Sequence, residues 1–110
     1  MQTQKISKMK CRACEGLKDK LSKEDIAKYL SFTKNWQIIN DHHIEKTFGF
    51  KDFKSTLNFV NKIGEIAEKE NHHPNIDFTY GQAKVTLYTH SIDGLSVNDF
   101  ILASKIDEIK

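Results

Sequence analysis

The chain has 110 residues, 38% hydrophobic and 29% charged, with a formal net charge of +2. That length suits one domain around one modest core, and basic and acidic residues alternate along it, without the concentrated basic face of a nucleic-acid binder. No apolar run approaches the ~20 residues of a membrane span, and the opening MQTQKISKMK has no signal-like apolar stretch, so a cytoplasmic protein without membrane or nucleic-acid partners is expected.

Residues 1–20 read as a flexible lead-in, and residues 21–110 as the folded domain. The lead-in holds both cysteines, Cys11 and Cys14, as one C-x-x-C. A redox pair normally opens a helix after a strand, and structural zinc needs four ligands. Neither context is present, so reduced surface cysteines are expected.

Ser22 opens a helix, with Asp25 three residues later as an acidic variant of the capping box. Ile26, Tyr29 and Leu30 share one face of it. Trp36 and Ile38 then alternate with polar residues, as do Ile44, Lys46, Phe48 and Phe50. This predicts two antiparallel strands joined by a hairpin near Asn40 to His43. Helical spacing returns after Asp52, a candidate cap, with Phe53, Leu57, Val60, Ile63 and Ala67 as one stripe. Gly64 inside it suggests close packing, and Pro74 ends the segment.

Ile76, Phe78 and Tyr80, then Val85, Leu87 and Thr89, predict a second hairpin turning at Gly81 and Gln82. Ser96 and Asp99 form an S-x-x-D cap for a last helix carrying Val97, Phe100, Ile101, Ile106 and Ile109. The order α-β-β-α-β-β-α implies a single-domain α+β fold, a four-stranded antiparallel sheet with helices packed on one face. Its short exposed edges invite self-association as a homodimer or homotetramer.

The five histidines include two adjacent pairs, His42–His43 and His72–His73. Counting back from a turn at Gly81 and Gln82 sets His90 opposite His73, with His72 beside it. His90 shares the strand parity of Thr86 and Tyr88, not that of the apolar Val85 and Leu87, so it is not expected in the core. The following helix N-terminus, near Asp99, comes back toward His90 and could favour an anionic or carbonyl group. Three histidines at element ends suit acid–base chemistry near neutral pH, a metal site with an open position, or no role. His42 and His43 occupy a hairpin turn without a matching partner, and are expected to be solvated surface.

These residues resemble a known family. The run Glu68, Lys69, His72, His73, Pro74, then Tyr80, Val85, Thr89, His90, then Gly94, Leu95, Ser96 and Asp99 is similar to the signature of pterin-4a-carbinolamine dehydratases. Trp36, Phe48, Phe50 and Phe53 also fit, and the likeness runs from about Leu21 to Ile106. The resemblance implies a metal-free hydro-lyase with no cofactor. It would take water from a 4a-hydroxytetrahydropterin and leave the quinonoid dihydropterin, recycling the pterin used by aromatic amino acid hydroxylases. It implies acid–base and substrate-binding roles for His72, His73 and His90, with Pro74, Thr89, Ser91 and Asp99 at substrate-binding positions. Asn75 and Ile76 depart from the aromatic that many relatives carry after H-H-P. His42 and His43 have no counterpart. Some animal members are dimerisation cofactors of a homeodomain transcription factor, which gives a binding-protein alternative. A metal-dependent hydrolase built on the same histidines is another.

Overall fold

The structure, a computed structural model, describes residues 20–109; the lead-in with Cys11 and Cys14 lies outside the described residues. Its elements are α1 (Lys23–Leu30), β1 (Gln37–Ile39), β2 (His43–Gly49), α2 (Phe53–Glu70), β3 (Asn75–Phe78), β4 (Gln82–Leu87), a 3-10 turn (His90–Ile92) and α3 (Val97–Asp107). The strands form one antiparallel sheet in the order β1-β2-β4-β3. The α+β architecture and the α-β-β-α-β-β-α order are as the sequence predicts.

Each helix starts where a side chain meets an orphan backbone N–H. Ser22 Oγ accepts from Asp25 N (3.1 Å) at α1. Asp52 Oδ1 accepts from Ser55 N (2.8 Å) at α2, and this bond holds its carboxyl below the ordinary aspartate value. Asn71 ends α2 in the left-handed region (φ 55°, ψ 41°), with its N–H on the Ala67 carbonyl. Asparagine is one of the few side chains that tolerate this conformation. The chain leaves the helix three residues ahead of Pro74.

The core lies between the helices and one face of the sheet. Ala83, Val85 and Leu87 of β4 are fully buried, as are Ile44 of β2 and Ile63 of α2. α3 is buried nearly all round, from Asn98 to Ser104 and at Ile106, as expected of a helix central to the core. Each fully buried Ile, Leu or Phe contributes about 1.5–3 kcal/mol. The open face carries Glu45 and Lys84, which pair at 3.4 Å. At the far end of α3, Asp107 accepts from Lys34 N, Trp36 Nε1 and Lys46 Nζ (2.9, 3.0 and 2.8 Å), tying β2 and the segment just before β1 to the helix.

Three local expectations change. The buried face of α2 is Thr56, Phe59, Ile63 and Ala67, whereas Phe53 and Leu57 are exposed. Thr56 is hidden without penalty because its hydroxyl donates to the Asp52 and Tyr80 carbonyls. Gly64 makes no close contact, since a Cβ placed there would meet nothing within 4 Å. The second hairpin turns one residue early, at Tyr80 and Gly81, because Thr79 N donates to the Gln82 carbonyl (2.8 Å). Asn75 therefore faces Thr86 and Phe78 faces Ala83.

Candidate active site

That register removes the strand pairing of His73 with His90. β4 stops at Leu87 and His90 sits in the 3-10 turn that follows. The two meet nonetheless across a cleft of about 420 Å³, lined by Asn71, His72, His73, Pro74, Asn75, His90 and Ser91. The left-handed Asn71 turns the chain sharply, and the extended residues after it point alternately. His72 accordingly faces in and is buried, while His73 faces out and is exposed.

His72 is gripped from behind. Its Nε2 lies 2.7 Å from Asp99 Oδ1, with side chains 5% and 0% exposed. A carboxylate can only accept, so Nε2 carries the hydrogen. Asp99 Oδ2 accepts from Thr89 Oγ1 (2.9 Å) and from Ser96 N (2.9 Å), the latter bond completing the helix capping box. Because Thr89 donates to Asp99, the 2.6 Å contact between the Thr89 and Ser96 hydroxyls must be donated by Ser96. Ser96 Oγ in turn accepts from Asn98 N. Among the described residues, no buried side-chain nitrogen or oxygen lacks a partner.

The predicted site residues therefore fall into two groups. His72, His73, Pro74, His90 and Ser91 line the cleft. Thr89 and Asp99, which the resemblance puts at substrate-binding positions, are 0% exposed and lie behind His72.

His73 Nε2 donates to Glu68 Oε2 (2.6 Å) in an exposed pair across the end of α2. Glu68 was visible in the sequence as part of the E-K-x-x-H-H run, but its hold on His73 was not. The ring nitrogens of His90 bond to no described residue, and the ring packs against Tyr88 at 4.2 Å between centroids.

The expectation that His42 and His43 lack partners is overturned. His42 Nε2 lies 2.8 Å from Asp93 Oδ1, its Nδ1 lies 3.0 Å from His43 Nδ1, and its ring is 4.6 Å from that of Tyr88. The cause is the β2–β4 pairing. Ile44 opposite Leu87 brings the hairpin beside the end of β4, a neighbour separated in sequence by α2 and β3.

A groove of about 500 Å³ lies elsewhere, lined by residues including Phe48, Phe59, Lys62 and Ile106. It contains no histidine, whereas the smaller cleft has three. Among the described residues, no three His, Cys, Asp or Glu side chains are grouped so as to hold a metal ion. None of the described helices is long and apolar enough to cross a membrane.

A cleft with three histidines on an α+β sheet of this order defines a class that the relatives name. The sequence profile described as Pterin 4 alpha carbinolamine dehydratase matches residues 19–109, and the chain belongs to that family of hydro-lyases. A protein of Alkaliphilus metalliredigens, provisionally named a pterin-4-alpha-carbinolamine dehydratase, is 45% identical over 104 residues, covering 94% of each chain. One of Rubrobacter xylanophilus with the same provisional name is 38% identical over 104 residues, covering 94% of this chain and 97% of its own. The crystal structure of a transcriptional coactivator/pterin dehydratase from Brucella melitensis superposes with a TM-score of 0.75 at 32% identity, covering 79% of this chain and 94% of the other.

Proposed function

We propose that the chain dehydrates a 4a-hydroxytetrahydropterin to the quinonoid dihydropterin and water, and so returns the pterin cofactor of aromatic amino acid hydroxylases to use. The observation that carries this reading is the placement of His72, His73 and His90 around one cleft, together with the family to which the chain belongs. About 420 Å³ is within the range of small-molecule sites.

The reaction breaks the C4a–O bond. The departing oxygen takes a proton and leaves as water, a ring N–H gives up its proton, and the electrons left on nitrogen form the new double bond. One imidazolium and one neutral imidazole suffice for both transfers. In this reading His73 and His90, both exposed at the cleft, exchange the protons. Glu68 fixes Nε2–H of His73 and leaves Nδ1 as its working atom. His72, its ring fixed by Asp99, forms the back wall and orients the pterin, with Pro74 and Ser91 beside it. Thr89 and Asp99 act through His72. No metal or cofactor enters the scheme.

The test is a coupled absorbance assay on EDTA-treated protein, corrected for the spontaneous reaction. Wild type should accelerate dehydration, and His90→Ala should lose on the order of 10²-fold of that acceleration. Full activity in His90→Ala would remove the residue from the mechanism. Activity lost on chelation and restored by zinc would overturn the metal-free scheme.

The reading includes self-association as a homodimer or homotetramer. It is supported by the exposed Phe53, Leu57, Phe78 and Tyr80 (44, 38, 39 and 67%). Phe53 and Phe78 stack at 6.1 Å on the side of edge strand β3.

A further inference from the structure

His90 presents a problem of precision. Its ring is exposed, sits on a three-residue 3-10 turn and bonds to no described residue. A proton-transfer group is effective only when its orientation is held. What holds this one lies outside the cleft.

The base of the turn is fastened by Thr89, which is buried and exchanges backbone hydrogen bonds with Gly94 (2.8 and 3.3 Å). The tip is fastened by a circuit of side chains. His90 packs on Tyr88 at 4.2 Å and 30° between ring planes. Tyr88 packs on His42 at 4.6 Å. His42 bonds to Asp93 at 2.8 Å. Asp93 closes the circuit, because it is the left-handed residue (φ 50°, ψ 50°) that ends the turn, with its own N–H on the His90 carbonyl. His43 steadies His42 from the other side, Nδ1 to Nδ1 at 3.0 Å. Asp93 is ionised in this arrangement. Its carboxyl is held below the ordinary aspartate value by the hydrogen bond and charge of His42, with smaller contributions from Lys20 and His90.

We propose that His42, acting through Asp93 and Tyr88, is a positioning residue for His90, so that the β1–β2 hairpin holds one wall of the cleft. The geometric part stands on these contacts alone; its effect on turnover rests on the dehydratase reading. An ion pair with side chains 33% and 81% exposed adds little to global stability, so breaking it should leave the fold intact and the orientation of His90 altered.

The experiment pairs NMR with kinetics on the full chain. In wild type, Tyr88 and His90 rings should show strong mutual NOEs. In His42→Ala these should weaken severalfold, and kcat should fall roughly tenfold with KM little changed. Asp93→Gly removes the carboxylate without straining a left-handed position and should reproduce both effects. The two should be non-additive in the double variant. His42→Gln, whose amide can still donate to Asp93, should retain most of wild-type kcat. NOEs and kcat unchanged in both His42→Ala and Asp93→Gly would overturn the proposal, as would additive losses in the double variant. Should wild type show no dehydratase activity, that reading alone fails, and the NOEs still decide whether His42 positions His90.

Discussion

Replacing Asp99 by asparagine changes one oxygen to an amide nitrogen at almost constant volume. The wild-type carboxylate accepts three hydrogen bonds, from His72 Nε2, Thr89 Oγ1 and Ser96 N. An amide has one accepting end, so its NH2 must face a donor. Toward Oδ2 it would meet the Ser96 N–H, which cannot turn away. The asparagine will therefore point NH2 at His72 and force Nε2 to accept, moving the ring hydrogen to Nδ1. Bonds to a charged partner are worth about 1.5–3 kcal/mol and neutral ones about 0.5–1.5. Three weakened bonds, offset by no longer burying a charge, give an expected loss of about 2–3 kcal/mol. Asp99→Ala leaves three buried donors unmatched and should cost more, about 3–5 kcal/mol. Urea unfolding followed by both fluorescence and circular dichroism measures this. The imidazole 15N shifts of His72 report the tautomer. Asp99→Asn within about 0.5 kcal/mol of wild type, with Nε2 of His72 still protonated, would refute the argument.

Gly64→Ala should stabilise the protein by about 1 kcal/mol, because the added methyl meets open space. That corresponds to roughly 4–8 °C in Tm, and a lower Tm would show that α2 needs the glycine. In light scattering, wild type should exceed the 12.7 kDa of one chain, and Phe53→Glu should shift it toward that mass. A monomeric wild type at micromolar concentration would remove the self-association reading.

The fold was legible because its signals are local. Ser22, Asp52 and Ser96 cap helices where the hydrophobic period changes, and Ala83, Val85 and Leu87 alternate with exposed Gln82 and Lys84. The errors share one physical origin, which is that contacts distant in the chain decide them. Tyr80 continues the parity of Ile76 and Phe78, so a pattern reading extends the strand through it; the Thr79–Gln82 bond ends the ladder instead. Phe53 and Leu57 look like core beside Val60, yet buried Thr56 takes the inner face because distant Tyr80 supplies an acceptor. The convergence of His72, His73 and His90 was anticipated through a register that the structure does not have. It arises instead from the turn at Asn71 and the 3-10 turn at His90. The partners of His42 were not legible, because they depend on β2 pairing with β4 rather than on the hairpin's own sequence.

The capping box of α3 has a consequence for how the cleft opens. The carboxylate that completes the helix cap is also the one that grips His72, so that histidine is anchored to the first turn of α3. That turn belongs to the most buried of the described helices, the part expected to exchange its amide hydrogens slowest. The ring of His90 is fastened instead through the half-buried Tyr88 and His42 and the exposed Asp93, contacts that break and re-form without disturbing the core. On the proposed reading, the two walls of the cleft should open on different timescales, with the His90 side opening first and giving a bound pterin its way out while His72 stays where the fold put it.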